Sequence, residues 1–214
     1  MIRISSRDNY PKIEQIKPNI YHVSYDNKDD MHNACVRIFA TYETEEFKDK
    51  IFTEKEFREW FNKIYGSDFN DSWSGFNFSS KVIKPFIGGD FDPLNPDEKE
   101  LIDLFRNING EYSIIATYST YKYIHETLPH EIAHALWEFN SEYKDEIRKI
   151  LNQYNTQSLK DFIKKQWKYK NELLEDELQA FLLTNKDMLE ENGFDTSPYH
   201  ELMNKIKQVY ERYK

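Results

Sequence analysis

The sequence predicts an α+β fold, with a mixed front half that carries a small sheet and a helical back half. Strand-like segments occur only before residue 119, whereas apolar residues recur at helical spacing beyond residue 127. Of the 214 residues, 39% are hydrophobic and 16% are aromatic, and the large rings supply the apolar area that a folded core needs. We expect one domain over residues 1–214, with an α+β lobe at 1–126 and a helical lobe at 127–214.

The front half contains three segments with the pattern of strands. Ile20–Tyr25 alternates apolar and polar residues, as a half-buried strand does. Ala34–Ala40 is more continuously apolar, which favours a central strand, and Glu111–Tyr118 is centred on a pair of isoleucines. Asp68–Ser80 mixes aromatic side chains with Ser, Asn and Gly, so we expect an ordered loop there.

Local end signals mark the helices. Thr53 and Glu56 have the spacing of a capping box, which predicts a helix over Glu54–Tyr65. Asn95 followed by Pro96 predicts a second helix that ends near Asn107. The helical lobe is predicted to contain five further helices: Leu128–Phe139, Ser141–Tyr154, Leu159–Tyr169, Asn171–Asn185 and Pro198–Arg212.

Charge and composition limit the classes of partner. The net charge of −9 disfavours a general electrostatic attraction to nucleic acid or to an anionic membrane. Cys35 is the single cysteine, which excludes an intramolecular disulfide. The chain contains no run of about 18 apolar residues and starts without the apolar core of a secretory signal. We expect a cytoplasmic protein without membrane or nucleic-acid partners.

The most informative segment reads His-Glu-Ile-Ala-His and runs from His130 to His134. On a helix, residues four positions apart lie one above the other on one face. Two imidazoles at that spacing can ligate one metal ion, and Glu131 beside them can act as a general base on a metal-bound water.

The helix that carries this segment has two distinct sides. Thr127 is predicted to cap it, and Pro129 lies in its first turn, where the missing N–H costs nothing. One side is an apolar stripe that we expect to face the core, and the opposite side holds Ala133, Trp137 and the two histidines. A solvated face rarely has this composition, so we expect the second side to form the floor of a cleft.

A catalytic zinc usually has three protein ligands and an open position. A third His six residues after His134 is excluded, because Asn140 stands there. Glu177 is the preferred third ligand, because a carboxylate within an apolar helical stripe needs a neutralising cation. Glu172, which forms Glu-x-x-x-Asp with Asp176, is the alternative. In another interpretation, Glu177 forms a salt bridge to a lysine such as Lys168 or Lys170.

These residues resemble the gluzincins, zinc metallopeptidases in which His-Glu-x-x-His on one helix is completed by Glu from a downstream helix. The match covers about residues 127–184 and consists of His130, Glu131, His134 and the Asp-Glu-x-x-Ala segment Asp176–Ala180. The resemblance implies a zincin-like fold, with an upper β-containing lobe and a lower helical lobe flanking the cleft. It also implies Zn²⁺ as cofactor, and a peptide or protein substrate that pairs with an edge strand near Glu111–Tyr118.

Supporting roles are expected for a few further side chains. Asp176 is a candidate partner for the outer nitrogen of a ligand histidine, and Tyr199 or His200 is a candidate donor to a developing oxyanion. The alternative to a peptidase is a catalytically inactive zincin-like domain that acts as a protein-interaction module with a structural metal. Glu131 favours catalysis, because a structural zinc needs no base and usually has four protein ligands.

Overall fold

The computed structural model describes residues 11–48, 50–66, 69, 73–167 and 169–214 and has a mixed α+β architecture. The chain forms two units, the first extending to Ile124 and the second covering His125–Lys214. Within the described residues there are ten α-helices and one four-stranded sheet. None of these helices has the length and apolar character that crossing a membrane requires.

The first unit contains the whole sheet, whose strands are β1 (Lys12–Lys17), β2 (Ile20–Tyr25), β3 (Gly75–Ser79) and β4 (Ser113–Tyr118). Their order is β1-β2-β4-β3. The pair β1/β2 is an antiparallel hairpin, β2 runs parallel to β4, and β3 runs antiparallel to β4. The predicted strand at Ile20–Tyr25 is confirmed.

The strand β4 occupies the interior of the sheet. It pairs with β2 on one side and β3 on the other, and all six of its residues are buried. Both rows of its backbone groups are therefore already hydrogen-bonded. The predicted strand at Glu111–Tyr118 is present as Ser113–Tyr118, but it is not itself an edge of the sheet.

Four helices complete the first unit: α1 (Lys28–Glu43), α2 (Glu54–Tyr65), α3 (Ser80–Gly88) and α4 (Pro96–Phe105). The helix α2 has the predicted bounds, and both hydrogen bonds of its capping box are present. The cap of α4 by Asn95 is also confirmed.

The predicted strand at Ala34–Ala40 is wrong, because this segment lies inside α1. Asn27 begins that helix, its side chain accepting a hydrogen bond from the backbone N–H of Asp30. Every residue from Ala34 to Ala40 is buried, so the helix has no solvent-exposed side in this stretch. A helix buried all round shows no periodicity and has the sequence pattern of a buried strand.

The segment Asp68–Ser80 is also different from the predicted loop. Gly75–Ser79 forms β3, and Ser80 is the first residue of α3. Residues 67, 68 and 70–72 lie outside the described residues. The strand was not predicted because Gly, Ser and Asn, which favour turns, separate its aromatic residues.

The second unit is helical, as predicted. Its helices are α5 (Ile124–Phe139), α6 (Ser141–Leu151), α7 (Gln157–Trp167), α8 (Leu174–Thr184), α9 (Lys186–Glu191) and α10 (His200–Tyr213), and a 3-10 turn covers Ser197–Tyr199. The helix α8 packs against α7 and α10, and α6 packs against α10. The predicted cap at Thr127 is wrong, because α5 begins one turn earlier and Thr127 lies within it, buried.

A buried ion pair joins two helices of the first unit. The Arg37 guanidinium on α1 donates two hydrogen bonds to the Glu98 carboxylate on α4, with Nε–Oε1 2.6 Å and Nη2–Oε2 2.5 Å. Arg37 also donates to the backbone carbonyl of Phe91 at 3.1 Å, and the Glu98 side chain is fully buried. Such a pair is a poor source of net stability, but removing one partner leaves a buried charge uncompensated.

We expect Glu98→Gln to lower the free energy of unfolding by about 3–5 kcal/mol, because Arg37 then keeps its charge without a buried counter-ion. Urea denaturation followed by circular dichroism measures this change. Glu59→Gln is the matched control, since Glu59 pairs with Lys55 at 3.7 Å on the exposed surface of α2. A loss of unfolding free energy no larger than that of the control would show that the buried ion pair matters no more for stability than the exposed one.

Candidate metal centre

Helix α5 places two imidazole nitrogens close together. His130 and His134 lie one turn apart, and their Nε2 atoms are 3.2 Å from each other. The two rings meet edge to face, with centroids 4.8 Å apart. The side chain of His134 is only 12% exposed, so little water competes for these nitrogens.

Helix α8 brings a carboxylate to the same position. Glu177 is buried in the first turn of α8, and its Oε2 atom lies 3.8 Å from His134 Nε2. One ligand atom from each of His130, His134 and Glu177 falls within 4.8 Å of the other two. These three side chains could hold a metal ion, and within the described part of the chain the group contains no fourth His, Cys, Asp or Glu.

The spacing of the nitrogens fits a tetrahedral ion. Metal–nitrogen bonds of about 2.0–2.1 Å at a tetrahedral angle place two ligand atoms roughly 3.3 Å apart. The separation of the two Nε2 atoms is 3.2 Å. The distance from His134 to Glu177 is longer, so an ion would draw that carboxylate inward by a few tenths of an ångström.

The outer nitrogens of both rings have partners on α8. His134 Nδ1 lies 2.9 Å from Asp176 Oδ1, and His130 Nδ1 lies 3.1 Å from Thr184 Oγ1. The Thr184 hydroxyl donates to the backbone carbonyl of Ala180, which leaves its oxygen able to accept from His130. With the hydrogens on Nδ1, the Nε2 lone pairs of both rings are directed toward each other. Two lone pairs at this distance repel unless a cation lies between them.

Burial is the largest influence on both imidazoles, but their pKa values move in opposite directions. Burial, and then the positive charge of His134, lower the pKa of His130 to about 3. Burial also acts to lower the pKa of His134, yet the carboxylates of Asp176, Glu177 and Glu131 outweigh it and raise that pKa well above its ordinary value. The carboxylates around the pair thus favour a positive charge at His134.

Three consecutive acids open α8, and each has a different contact. Glu175 accepts a hydrogen bond from Arg148 at 2.8 Å, Asp176 contacts His134, and Glu177 reaches the two Nε2 atoms. The first turn of a helix tolerates such a cluster because the helix dipole favours negative charge there. One turn thus supplies both a candidate ligand and the group that orients another ligand.

The structure separates the two candidates for third ligand. Glu172 lies in the turn before α8 and is exposed, whereas Glu177 is buried beside the histidines. Of the lysines named as salt-bridge partners for Glu177, Lys168 lies outside the described residues. Glu131 is 9% exposed on α5, and its negative charge acts on His134.

Tyr199 and His200 lie at the start of α10 and have other contacts. The hydroxyl of Tyr199 is 2.8 Å from Ser158 Oγ, and it also donates to the backbone carbonyl of Asn155 at 3.4 Å. His200 is exposed at the first residue of α10. These contacts link the ends of α7 and α10, and they give neither residue a place beside the three candidate ligands.

Sequence reasoning did not assign roles to Thr184, Gln179 and Tyr143. Thr184 contacts His130, and Gln179 donates to Asp176 at 3.1 Å while accepting from Tyr143 at 2.6 Å. A signal for Gln179 exists, because it lies three positions after Asp176 and so shares its side of the helix. Tyr143 is 36 positions away from Gln179, and no local pattern connects them.

We expect Glu177→Ala to weaken binding of Zn²⁺ or Co²⁺ by more than about 100-fold, because a direct ligand is worth more than an outer partner. Isothermal titration with each ion measures the change. Glu172→Ala is the matched control and should keep the wild-type affinity. Equal losses in the two variants would contradict the assignment of Glu177.

We expect Asp176→Asn to weaken binding of the same ions by about 10–100-fold, because the His134 ring loses the charged acceptor that orients it. Competition with a chromophoric chelator measures this affinity. Asp187→Asn, an exposed change in the first turn of α9, serves as the control. An unchanged affinity in Asp176→Asn would mean that the hydrogen bond to His134 does not support metal binding.

No protein-family model, no curated protein and no solved structure matches this chain. What the centre can do is therefore inferred from its own donor atoms, their spacing and their charges.

Proposed function

We propose that this protein is a zinc-dependent metallopeptidase, in which His130, His134 and Glu177 hold the metal and Glu131 is the general base. The observation that carries the proposal is the convergence of two imidazole nitrogens, 3.2 Å apart, with a buried carboxylate. The proposal includes a zincin-like arrangement of α5 and α8, in which the first helix carries the His-Glu-x-x-His segment and the second carries the downstream Glu.

The donor set supports zinc over the other common divalent ions. Two neutral imidazoles and one carboxylate suit zinc, whereas Mg²⁺ and Ca²⁺ prefer six or more oxygen ligands. The nitrogen spacing supports a tetrahedral ion, because octahedral and square-planar sites place neighbouring nitrogens near 90°.

The number of ligands supports a catalytic metal over a structural one. Structural zinc sites are usually closed by four protein ligands, and catalytic sites keep one position open. The group has three potential ligands among the described residues. Glu131 lies on the same helix as both histidines, next to His130, and its negative charge acts on His134, which supports a role as base over a purely structural metal.

When bound, zinc lowers the pKa of water at its open position and polarises the oxygen of a peptide carbonyl. Glu131 accepts a proton from the attacking water as the water oxygen bonds to the carbonyl carbon. As the C–N bond breaks, Glu131 returns that proton to the leaving amine, so the carboxylate is regenerated. Through their contacts with the two Nδ1 atoms, Asp176 and Thr184 would keep the rings of His134 and His130 oriented for metal binding.

The proposed substrate is a peptide or protein. The interior position of β4 means that backbone pairing with that strand does not contribute to its recognition.

We expect Glu131→Gln to bind Zn²⁺ with wild-type stoichiometry and to hydrolyse peptides about 10²–10⁴-fold more slowly, because the amide cannot take the proton of water. A quenched peptide library, with products identified by mass spectrometry, measures the rate, and metal analysis measures the zinc content. Glu138→Gln is the matched control, because Glu138 is exposed on the same helix.

Two outcomes would contradict the proposal. Hydrolysis by Glu131→Gln at the wild-type rate would remove Glu131 from the role of base. A wild-type protein that binds one zinc and cleaves none of the library peptides would instead support a structural metal in a non-catalytic domain.

A further inference from the structure

A chain of buried hydrogen bonds leads from the metal centre to helix α6. Asp176 Oδ1 accepts one bond from His134 Nδ1 at 2.9 Å and a second from Gln179 Nε2 at 3.1 Å. The other end of the Gln179 amide accepts a bond from the Tyr143 hydroxyl at 2.6 Å. Three helices, α5, α8 and α6, thus contribute to one line of contacts.

The direction of every bond in this line follows from the ionised carboxylate. A carboxylate only accepts hydrogen bonds, so the amide group that faces Asp176 must be the NH₂ end of Gln179. The carbonyl end then faces Tyr143, which must donate. If the amide were flipped, its oxygen would face the carboxylate oxygen and the bond to Asp176 would be lost, while the Tyr143 hydroxyl could still accept from the amide NH₂. In the observed orientation the Tyr143 hydroxyl donates to Gln179 Oε1, so Tyr143 holds the amide in place once Asp176 has set its orientation.

The line of hydrogen bonds is shielded from water at the Tyr143 end, the end away from the candidate ligands. Tyr143 and Gln179 are both 0% exposed, whereas the side chain of Asp176 is 21% exposed. Burial, and then the negative charge of Asp176, raise the pKa of Tyr143 far above its ordinary value, so the phenol keeps its proton. Water can reach the Asp176 carboxylate, but it cannot replace the donors that hold this carboxylate from inside.

We propose that Tyr143 and Gln179 are positioning residues of the metal centre, which act through Asp176 to hold the His134 ring in its ligating orientation. This inference rests on the proposed metal site but not on peptidase activity. Without the inner donors, the partly exposed Asp176 carboxylate can turn toward water, and His134 then loses its acceptor. Neither Tyr143 nor Gln179 touches the ion in this scheme.

The test compares Co²⁺ binding by Tyr143→Phe and Tyr199→Phe. Both tyrosines are buried in the second unit and both hydroxyls are hydrogen-bonded, but that of Tyr199 contacts Ser158, away from the candidate ligands. We expect Tyr143→Phe to weaken Co²⁺ binding about 3- to 10-fold and to shift the visible absorption of the bound Co²⁺. Tyr199→Phe should leave the affinity and the spectrum unchanged, even where it lowers thermal stability to the same degree.

A double-mutant cycle separates action through Asp176 from general damage. In the Asp176→Asn background, Tyr143→Phe and Gln179→Met should each change Co²⁺ affinity by less than about 2-fold, because the group that they position is already lost. If Gln179→Met does not fold, Tyr143→Phe completes the cycle alone.

Each result has a distinct meaning. Full additivity in the cycle, or an equal loss of affinity in Tyr143→Phe and Tyr199→Phe, overturns the positioning roles and leaves the peptidase proposal intact. A wild-type protein that binds Co²⁺ but cleaves no peptide removes the peptidase proposal and leaves the positioning roles intact. A wild-type protein that binds no Co²⁺ removes both.

Discussion

The second unit depends on one interaction, the 3.2 Å approach of two imidazole nitrogens on α5 among three carboxylates that favour a positive charge. When both rings carry their hydrogens on Nδ1, the Nε2 lone pairs of His130 and His134 repel each other at 3.2 Å unless a proton or a metal ion lies between them. The carboxylates of Asp176, Glu177 and Glu131 make a positive charge favourable there. These carboxylates would in turn be costly to bury together without it. The placement of α8 beside α5 follows from this mutual requirement.

Local signals predicted those parts of the fold that depend on neighbouring residues. The bounds of α2 follow from a capping box within four positions, and the α2 prediction is confirmed. Burial from several directions is a tertiary property, and it misled the prediction at Ala34–Ala40, where a helix is enclosed on all sides. The central position of β4 could not be predicted either. Strand order depends on pairings between β2, β3 and β4, and these strands lie far apart in the sequence.

In the candidate site, too, local patterns predicted some residues, whereas contacts between helices could not be predicted. Helical spacing identified His130 and His134, and an acid within an apolar stripe identified Glu177, because both signals are periodic on a single helix. Asp176 was expected as a partner of a ligand histidine because the outer nitrogen of such a ring usually donates to a carbonyl or carboxylate. Tyr143 and Gln179 were not, since a hydrogen bond between two helices leaves no trace in the periodicity of either one.

The separation of the candidate ligands along the chain has a consequence for folding. An ion shared by α5 and α8 would act as a reversible cross-link that closes a long loop containing α6 and α7. Because the three ligands come together only in the folded chain, binding of an ion would stabilise the folded state by mass action. The supply of metal would then influence how much of the protein is folded.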